Sequence, residues 1–210
     1  MKLINNYLKK NNIIIRNFQL SSWEDIFNKM TYFTNFRNEN TLDEIWFVEH
    51  YPIYTQGQFE YNSLKKNINN IPILYTNRGG KITYHGPGQQ VVYLLLNLKR
   101  LKINIRQLLS IINNVVLNTL YYFSIIGNTG IIPGIYVEKK KICSIGLRIK
   151  KYFTLHGFSL NIKMNLEPFK YIHPCGDSTI IMTHMYDINK HISLEIVRKI
   201  LIKNFFIFLT

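Results

Sequence analysis

The sequence has no alanine, two cysteines and only 12 acidic residues among its 210. Two thiols can neither staple a disulfide scaffold nor supply a four-thiolate zinc site, so each needs its own explanation and a reducing compartment is expected. With 11 glycines and 6 prolines the composition is neither collagen-like nor linker-like. Disorder is excluded too, because 47% of the residues are hydrophobic and only 18% are charged, enough apolar matter for a sizeable core in one or at most two domains. The few carboxylates form no clustered pair in a glycine-rich setting, which argues against hydrolysis by paired acids.

Positive charge is in excess: 26 Lys and Arg give a formal net charge of +14. Lysine outnumbers arginine 19 to 7, and isoleucine and asparagine abound, so we read part of the excess as nucleotide bias. Relatives from balanced genomes that kept the same charge would overturn that reading. Such a field attracts acidic partners. Its sign alone admits nucleic acid, an anionic membrane surface or an acidic carrier protein.

Residues 1–20 lack a continuous apolar stretch because Asn5, Asn6, Lys9 and Lys10 interrupt it, so no secretory signal is visible and the cytoplasm is the expected location. Residues 107–137 carry no charge, which raises the question of a membrane span. Gln107, Ser110, Asn114 and Asn118 recur at helical spacing among Leu108, Leu109, Ile112, Val115, Val116 and Leu120. That polar stripe predicts an amphipathic helix packed on a core.

Alternation predicts strands at residues 13–18 and 44–49, with a helix between them opened by a capping box from Ser21 to Glu24 and running to about Phe36. Residues 61–70 read as a solvated loop. Short strands are expected at 73–76 and 91–98, and a helix near 105–123. Residues 134–137, 141–149 and 153–162 read as three antiparallel strands, the first turn carried by Glu138, Lys139 and Lys140. A last helix over about 193–206 closes the chain. No repeat or linker interrupts it, so residues 1–210 read as one α/β domain, a mixed, largely antiparallel sheet flanked by helices.

The densest punctuation is the run from Arg78 to Gln90, RGGKITYHGPGQQ, just before an apolar strand. Glycine lets backbone amides approach a ligand closely, and Arg78, Lys81, Thr83, His85, Gln89 and Gln90 add donors for a carbonyl or phosphate. Neither a dinucleotide fingerprint nor a Walker loop is present. The second constellation is His173-Pro174-Cys175-Gly176, where flanking Pro and Gly favour an exposed turn. Cys143 alternates with Ile145, Leu147 and Ile149 and reads as a buried, inert thiol. An unperturbed thiol is only a few per cent ionised at pH 7, so Cys175 needs a neighbouring cation to act as a nucleophile. Spacing leaves Lys139, Lys140, Lys141, Arg148 and His173 as candidates, with His173 the local one and Lys141 the alternative. His50, His85 and His156 lack metal-ligand spacing, so no metal is expected.

Four ordered motifs carry a resemblance: residues 78–99 (RGGKITYHGPGQQVVYLLLNLK), 141–149 (KICSIGLRI), 156–162 (HGFSLNI) and 174–176 (PCG), preceded by EHYPIYTQGQ at 49–58. Over about residues 40–185 the chain resembles the lipoyl(octanoyl) transferases. The resemblance implies a cofactor-free acyltransferase that moves octanoate from octanoyl-acyl carrier protein to one lysine of a lipoyl domain or glycine-cleavage H protein, through a thioester on Cys175. It makes Lys141 the residue that activates that thiol and shuttles its proton. It puts substrate binding on Arg78, Gly79, Gly80, Lys81, Ile82, Thr83, Tyr84 and His85, on Ser144, Ile145 and Gly146, and on Gly157, Phe158 and Ser159. It further implies the fold of lipoate and biotin protein ligases, and, with neither nucleic acid nor membrane as partner, we expect a monomer. Ile82, Ile145, Leu147 and Phe158 are expected to line the acyl groove. His173, and Phe158 and Ser159 where Leu and Ala are common, depart from the family pattern.

Overall fold

Apolar residues on both faces of a strand demand cover on both sides, and that requirement organises this protein. The computed structural model describes residues 8–10, 13–59 and 66–209. In chain order the elements are β1 (Leu8–Lys10), β2 (Ile13–Ser21), α1 (Trp23–Phe36), β3 (Asp43–His50), β4 (Ile53–Gln56), β5 (Asn67–Ile68), β6 (Ile71–Tyr75), β7 (Ile82–His85) and β8 (Gln89–Leu95). There follow α2 (Leu98–Leu101), α3 (Ile105–Tyr122), β9 (Asn128–Thr129), β10 (Gly134–Val137), β11 (Lys140–Lys150), β12 (Phe153–Asn161), α4 (Met185–Ile188) and α5 (Leu194–Phe208), with 3-10 turns at Glu167–Tyr171 and Pro174–Gly176.

The larger sheet has the order β1-β2-β3-β8-β12-β11-β10-β9 and the smaller one β5-β6-β4-β7. Pairing is antiparallel except at β2–β3 and β4–β6, which makes the mixed, largely antiparallel α/β architecture expected above. In β3 and β8, Ile45, Phe47, Val92 and Leu94 face α3 and α5 through Leu108, Ile112, Leu201 and Phe205. Trp46, Val48, Val91 and Tyr93 face the other way, onto Ile26 and Met30 of α1. Each such side chain contributes roughly 1.5–3 kcal/mol by leaving water, so the two central strands anchor everything else. A third cluster, with Tyr54, Tyr84, Phe169 and Ile172, ties the small sheet to the segment carrying Cys175.

The charge-free stretch folds as expected: α3 buries Leu108, Ile112, Val115, Val116, Thr119 and Leu120 along one side, and among the described residues no helix is long and apolar enough to cross a membrane. Other expectations need correction. The cap of α1 is Ser22, which accepts from Asp25 N–H, while Ser21 ends β2 and donates to Phe18 O. Two adjacent serines offer the same chemistry one residue apart, and the length of β2 selects the second. The full capping box belongs to α3, between Asn104 and Gln107. Of the loop expected at 61–70, residues 61–65 lie outside the described residues, as do 1–7 and 11–12 of the amino-terminal stretch. Its end is a tight hairpin of β5 and β6, turned by Asn69 and Asn70 at positive φ of 48° and 63°. The run at 78–90 is no continuous loop either, because residues 82–85 form β7 and pair with β4.

Candidate active site

Cys175 sits in the Pro174–Gly176 turn at φ 58°, ψ 13°, a left-handed conformation uncommon for a side chain other than glycine. Two turn bonds hold it there, Gly176 N–H to His173 O at 2.8 Å and Asp177 N–H to Pro174 O at 3.2 Å. Lys141 arrives from β11, where a bulge decides its direction. Ile135 pairs with Cys143 but Tyr136 with Lys141, so Ile142 is an extra residue and strict alternation fails. Cys143 then points into the main core, where burial pushes its thiol up to about 12. Lys141, fully buried, turns to the other side and donates from Nζ to Cys175 Sγ at 3.1 Å and to Pro133 O at 3.0 Å. A side chain at Gly134 would have to displace its neighbours, since its Cβ would lie 2.5 Å from Lys141 Cε and from Cys143 O.

Spacing alone left five cations open, and the structure brings Lys141 to the sulfur. Lys139 is exposed in the turn after β10, Lys140 is exposed at the start of β11 instead of in the turn, and His173 is exposed ahead of Pro174. Arg148 donates to Asn77 O at 3.1 Å.

From Cys175 a cleft runs inward between the glycine-rich segment and β11–β12. Residues 78–83, His85, 144–146 and 157–159, which the resemblance named for substrate binding, line it. Tyr84 does not: alternation along β7 turns it away, into the third cluster against Tyr54 and Phe169. Leu147 packs against the main core instead of lining the cleft. Trp23, Val91 and Tyr93 complete the apolar walls. No pattern near these residues marks them, because they arrive from α1 and β8. Arg78 serves the shape of the loop, donating to Gly79 O at 3.0 Å, Thr55 O at 2.7 Å and Thr55 Oγ1 at 3.0 Å. Gly79 N–H then docks the loop on the free edge of β11 at Leu147 O, 3.1 Å away.

Buried polar groups back the cleft, and of these His85 and His156 line it. His50 joins Ser21 O at 3.1 Å to Tyr93 OH at 2.8 Å, and His85 lies between Thr55 Oγ1 and Gln89 Oε1. His156, at φ 61°, reaches Asn77 Oδ1 at 2.6 Å. Burial drives the three rings down, His50 to about 4 and His85 and His156 to about 3, so all are neutral at pH 7. Among the described residues no group of three or more His, Cys, Asp or Glu is arranged to hold a metal ion.

A cysteine–lysine pair at the mouth of an apolar cleft suits acyl transfer, and known proteins agree. Residues 27–206 match the family described as lipoyl protein ligase A/B catalytic domain. The chain belongs to that family. It is 56% identical over 200 residues, 93% of each chain, to a protein named octanoyltransferase from Buchnera aphidicola of Acyrthosiphon pisum. An octanoyltransferase from Klebsiella pneumoniae is 44% identical over 198 residues, covering 94% of this chain and 92% of its own. Among solved structures, a lipoate-protein ligase A bound with ATP superposes with a TM-score of 0.76 over 94% of this chain and 84% of its own, at 15% identity. That last likeness concerns the fold alone.

Within the lipoyl protein ligase A/B family fold, the cleft separates two kinds of chemistry. Its apolar lining carries the neutral rings of His85 and His156, whereas Cys175 and Lys81 line it where the sulfur is backed by buried Lys141. Lys81 packs on Gly176 so closely that a Cβ there would strike its Nζ.

Proposed function

We infer that this chain transfers an octanoyl group, in protein lipoylation, from a carrier-protein thioester to a lipoyl-domain lysine by way of a thioester on Cys175. Octanoyl transfer accords with the named relatives. What supports the covalent route is one observation, the 3.1 Å contact between Lys141 Nζ and Cys175 Sγ at the mouth of the apolar cleft. An ammonium so placed favours the thiolate, the nucleophilic form.

The atoms balance without ATP. The Cys175 thiolate attacks the donor carbonyl, the tetrahedral intermediate collapses, and the carrier thiol leaves with a proton from the Lys141 ammonium. The acceptor amine then attacks the Cys175 thioester, an amide forms, and neutral Lys141 takes up the amine's proton as the thiolate is released. Gly176 N–H is already committed to His173 O, so the turn's amide for the developing oxyanion is Cys175 N–H, which has no hydrogen-bond partner among the described residues. Ile82, Val91, Ile145, Phe158 and Trp23 receive the chain, each buried CH₂ contributing about 0.8 kcal/mol.

On this reading residues 1–210 act as one catalytic domain, a monomer in the cytoplasm, and the +14 charge favours docking of an acidic carrier protein. The acceptors are lipoyl domains and the glycine-cleavage H protein. The test is intact-mass analysis after mixing with octanoyl-acyl carrier protein in the absence of ATP. One octanoyl adduct on Cys175, discharged by a lipoyl domain, is expected. An absolute requirement for ATP would replace this reading with a ligase.

A further inference from the structure

The contact between Lys141 and Cys175 depends on where the Lys141 backbone is held. β12 ends at Asn161, one residue short of pairing with Lys141, and the chain turns away as Ile162 N–H bonds Gly88 O. A strap from residues 181–183 takes the vacant place. Lys141 N–H donates to Ile181 O at 2.7 Å, and Thr183 N–H donates to Lys141 O at 2.9 Å.

Asn161 holds the strap from behind, donating from Nδ2 to Thr183 O at 2.9 Å. Its Oδ1 accepts from Gln89 Nε2 at 2.9 Å, and Gln89 Oε1 accepts from His85 Nδ1 at 2.7 Å. His85 Nε2, left without a proton, accepts from Thr55 Oγ1 at 3.2 Å, and Thr55 Oγ1 accepts from Arg78 at 3.0 Å. The direction is set at the strap. A peptide carbonyl only accepts, so Asn161 presents Nδ2 to Thr183, and flipping either amide would set two acceptors together, at Thr183 O or at Asn161 Oδ1. Asn161, Gln89, His85, Thr55 and Thr183 are all buried, where such chains strengthen one another and tolerate no gap. The strap has two lesser ties, Thr183 Oγ1 to Asp187 at 3.3 Å and Met182 against the third cluster.

We propose that Asn161 is a positioning residue for the reaction: through Thr183 it fixes the strap that clamps Lys141, and through Gln89, His85 and Thr55 it ties that clamp to Arg78 in the lining of the cleft. This rests on the reading that Lys141 activates Cys175, and the experiment separates the two. The rate of Cys175 alkylation by iodoacetamide is followed against pH for the full chain and for Lys141→Met, Asn161→Ala and Asn161→Ser, with the adduct counted by mass because Cys143 is buried.

Lys141→Met moves the midpoint of the rate curve upward. Asn161→Ala moves it in the same sense by about one pH unit, roughly a tenfold slower alkylation at pH values below both midpoints, with the high-pH plateau unchanged. Asn161→Ser, which keeps a shorter donor and acceptor, lies between Asn161→Ala and wild type and serves alone if the alanine variant does not fold. A merely structural role would alter the plateau or the melting temperature and leave the midpoint in place. Wild-type midpoints in both Asn161 variants, with a shifted one in Lys141→Met, would overturn the proposal alone. An unshifted midpoint in Lys141→Met would overturn the activation by lysine and this proposal with it.

Discussion

Lys141 and Cys143 are two residues apart and would share a side of any regular strand, yet one meets the Cys175 sulfur and the other the core. The bulge at Ile142 makes the difference, and it sorts the two thiols of the protein by chemistry. Burial raises Cys143 out of the reactive range, whereas Cys175 stands at the cleft mouth beside an ammonium. Cys175→Ser therefore abolishes the octanoyl adduct and turnover, and Cys143→Ser retains both, as mass analysis after mixing with donor reads directly. The reverse pattern would relocate the site. Gly134→Ala is the sharper test of geometry. The added Cβ collides with Lys141 Cε, and φ 147° is itself unfavourable for alanine. Turnover is expected to fall by about 10²-fold or more, the usual scale for losing a positioned proton-transfer group. Strain of order 1–3 kcal/mol lowers the melting temperature as well. Near-normal turnover in that variant would mean that Lys141 has room to move without consequence.

Among the elements, those with a strong local period were readable and those made by pairing were not. α3 repeats its apolar residues over 18 positions, and β3 and β8 are apolar on both faces, so their type followed from the chain itself. β4, β5 and β7 have 4, 2 and 4 residues, too few to show a period, and exist because the small sheet pairs them. β7 matters most, since its alternation turns Thr83 and His85 to the cleft and seats Tyr84, on the side of Ile82, in the third cluster. The capping box of α3 offers a test confined to one element. Asn104 accepts from Gln107 N–H at 3.0 Å, and neither residue lines the cleft. Asn104→Ala is expected to cost about 1 kcal/mol, a fall of about 2–4 °C in melting temperature, with unchanged turnover. A loss of activity without a change in melting would show that α3 reports to the site.

At the scale of the molecule, the buried histidines set its response to acid. Above about pH 6.5 they are neutral folded or unfolded, so their contribution to stability is fully present. Below that, the unfolded chain takes up protons that the folded protein refuses until about pH 4 for His50 and about 3 for His85 and His156. Stability therefore falls with pH across that window, by roughly 1.4 kcal/mol per histidine per pH unit. Asp43, whose carboxyl burial raises, works in the opposite sense but is one group against three. Thermal melts are expected to change little between pH 7 and 8 on account of these rings and to drop steeply below about pH 6. A melting temperature level down to pH 4 would show that the histidines accept protons in place.

The chain by itself determined the class of fold, the central strands, the amphipathic α3 and, through its ordered motifs, the pairing of Cys175 with a cleft around the glycine-rich segment. These depend on covalent spacing and on periods of 2 and 3.6 residues, which any stretch of sequence displays locally. Tertiary structure decided how Lys141, which spacing left among five cations and the motifs singled out, reaches the sulfur, why Tyr84 is withdrawn, and how Trp23 and Tyr93 come to line the cleft. It also assembled the run of hydrogen bonds from Arg78 to Thr183. Each of those outcomes depends on a strand register, a bulge or a strap closing between residues far apart in the chain, and no local spacing specifies where distant backbones meet.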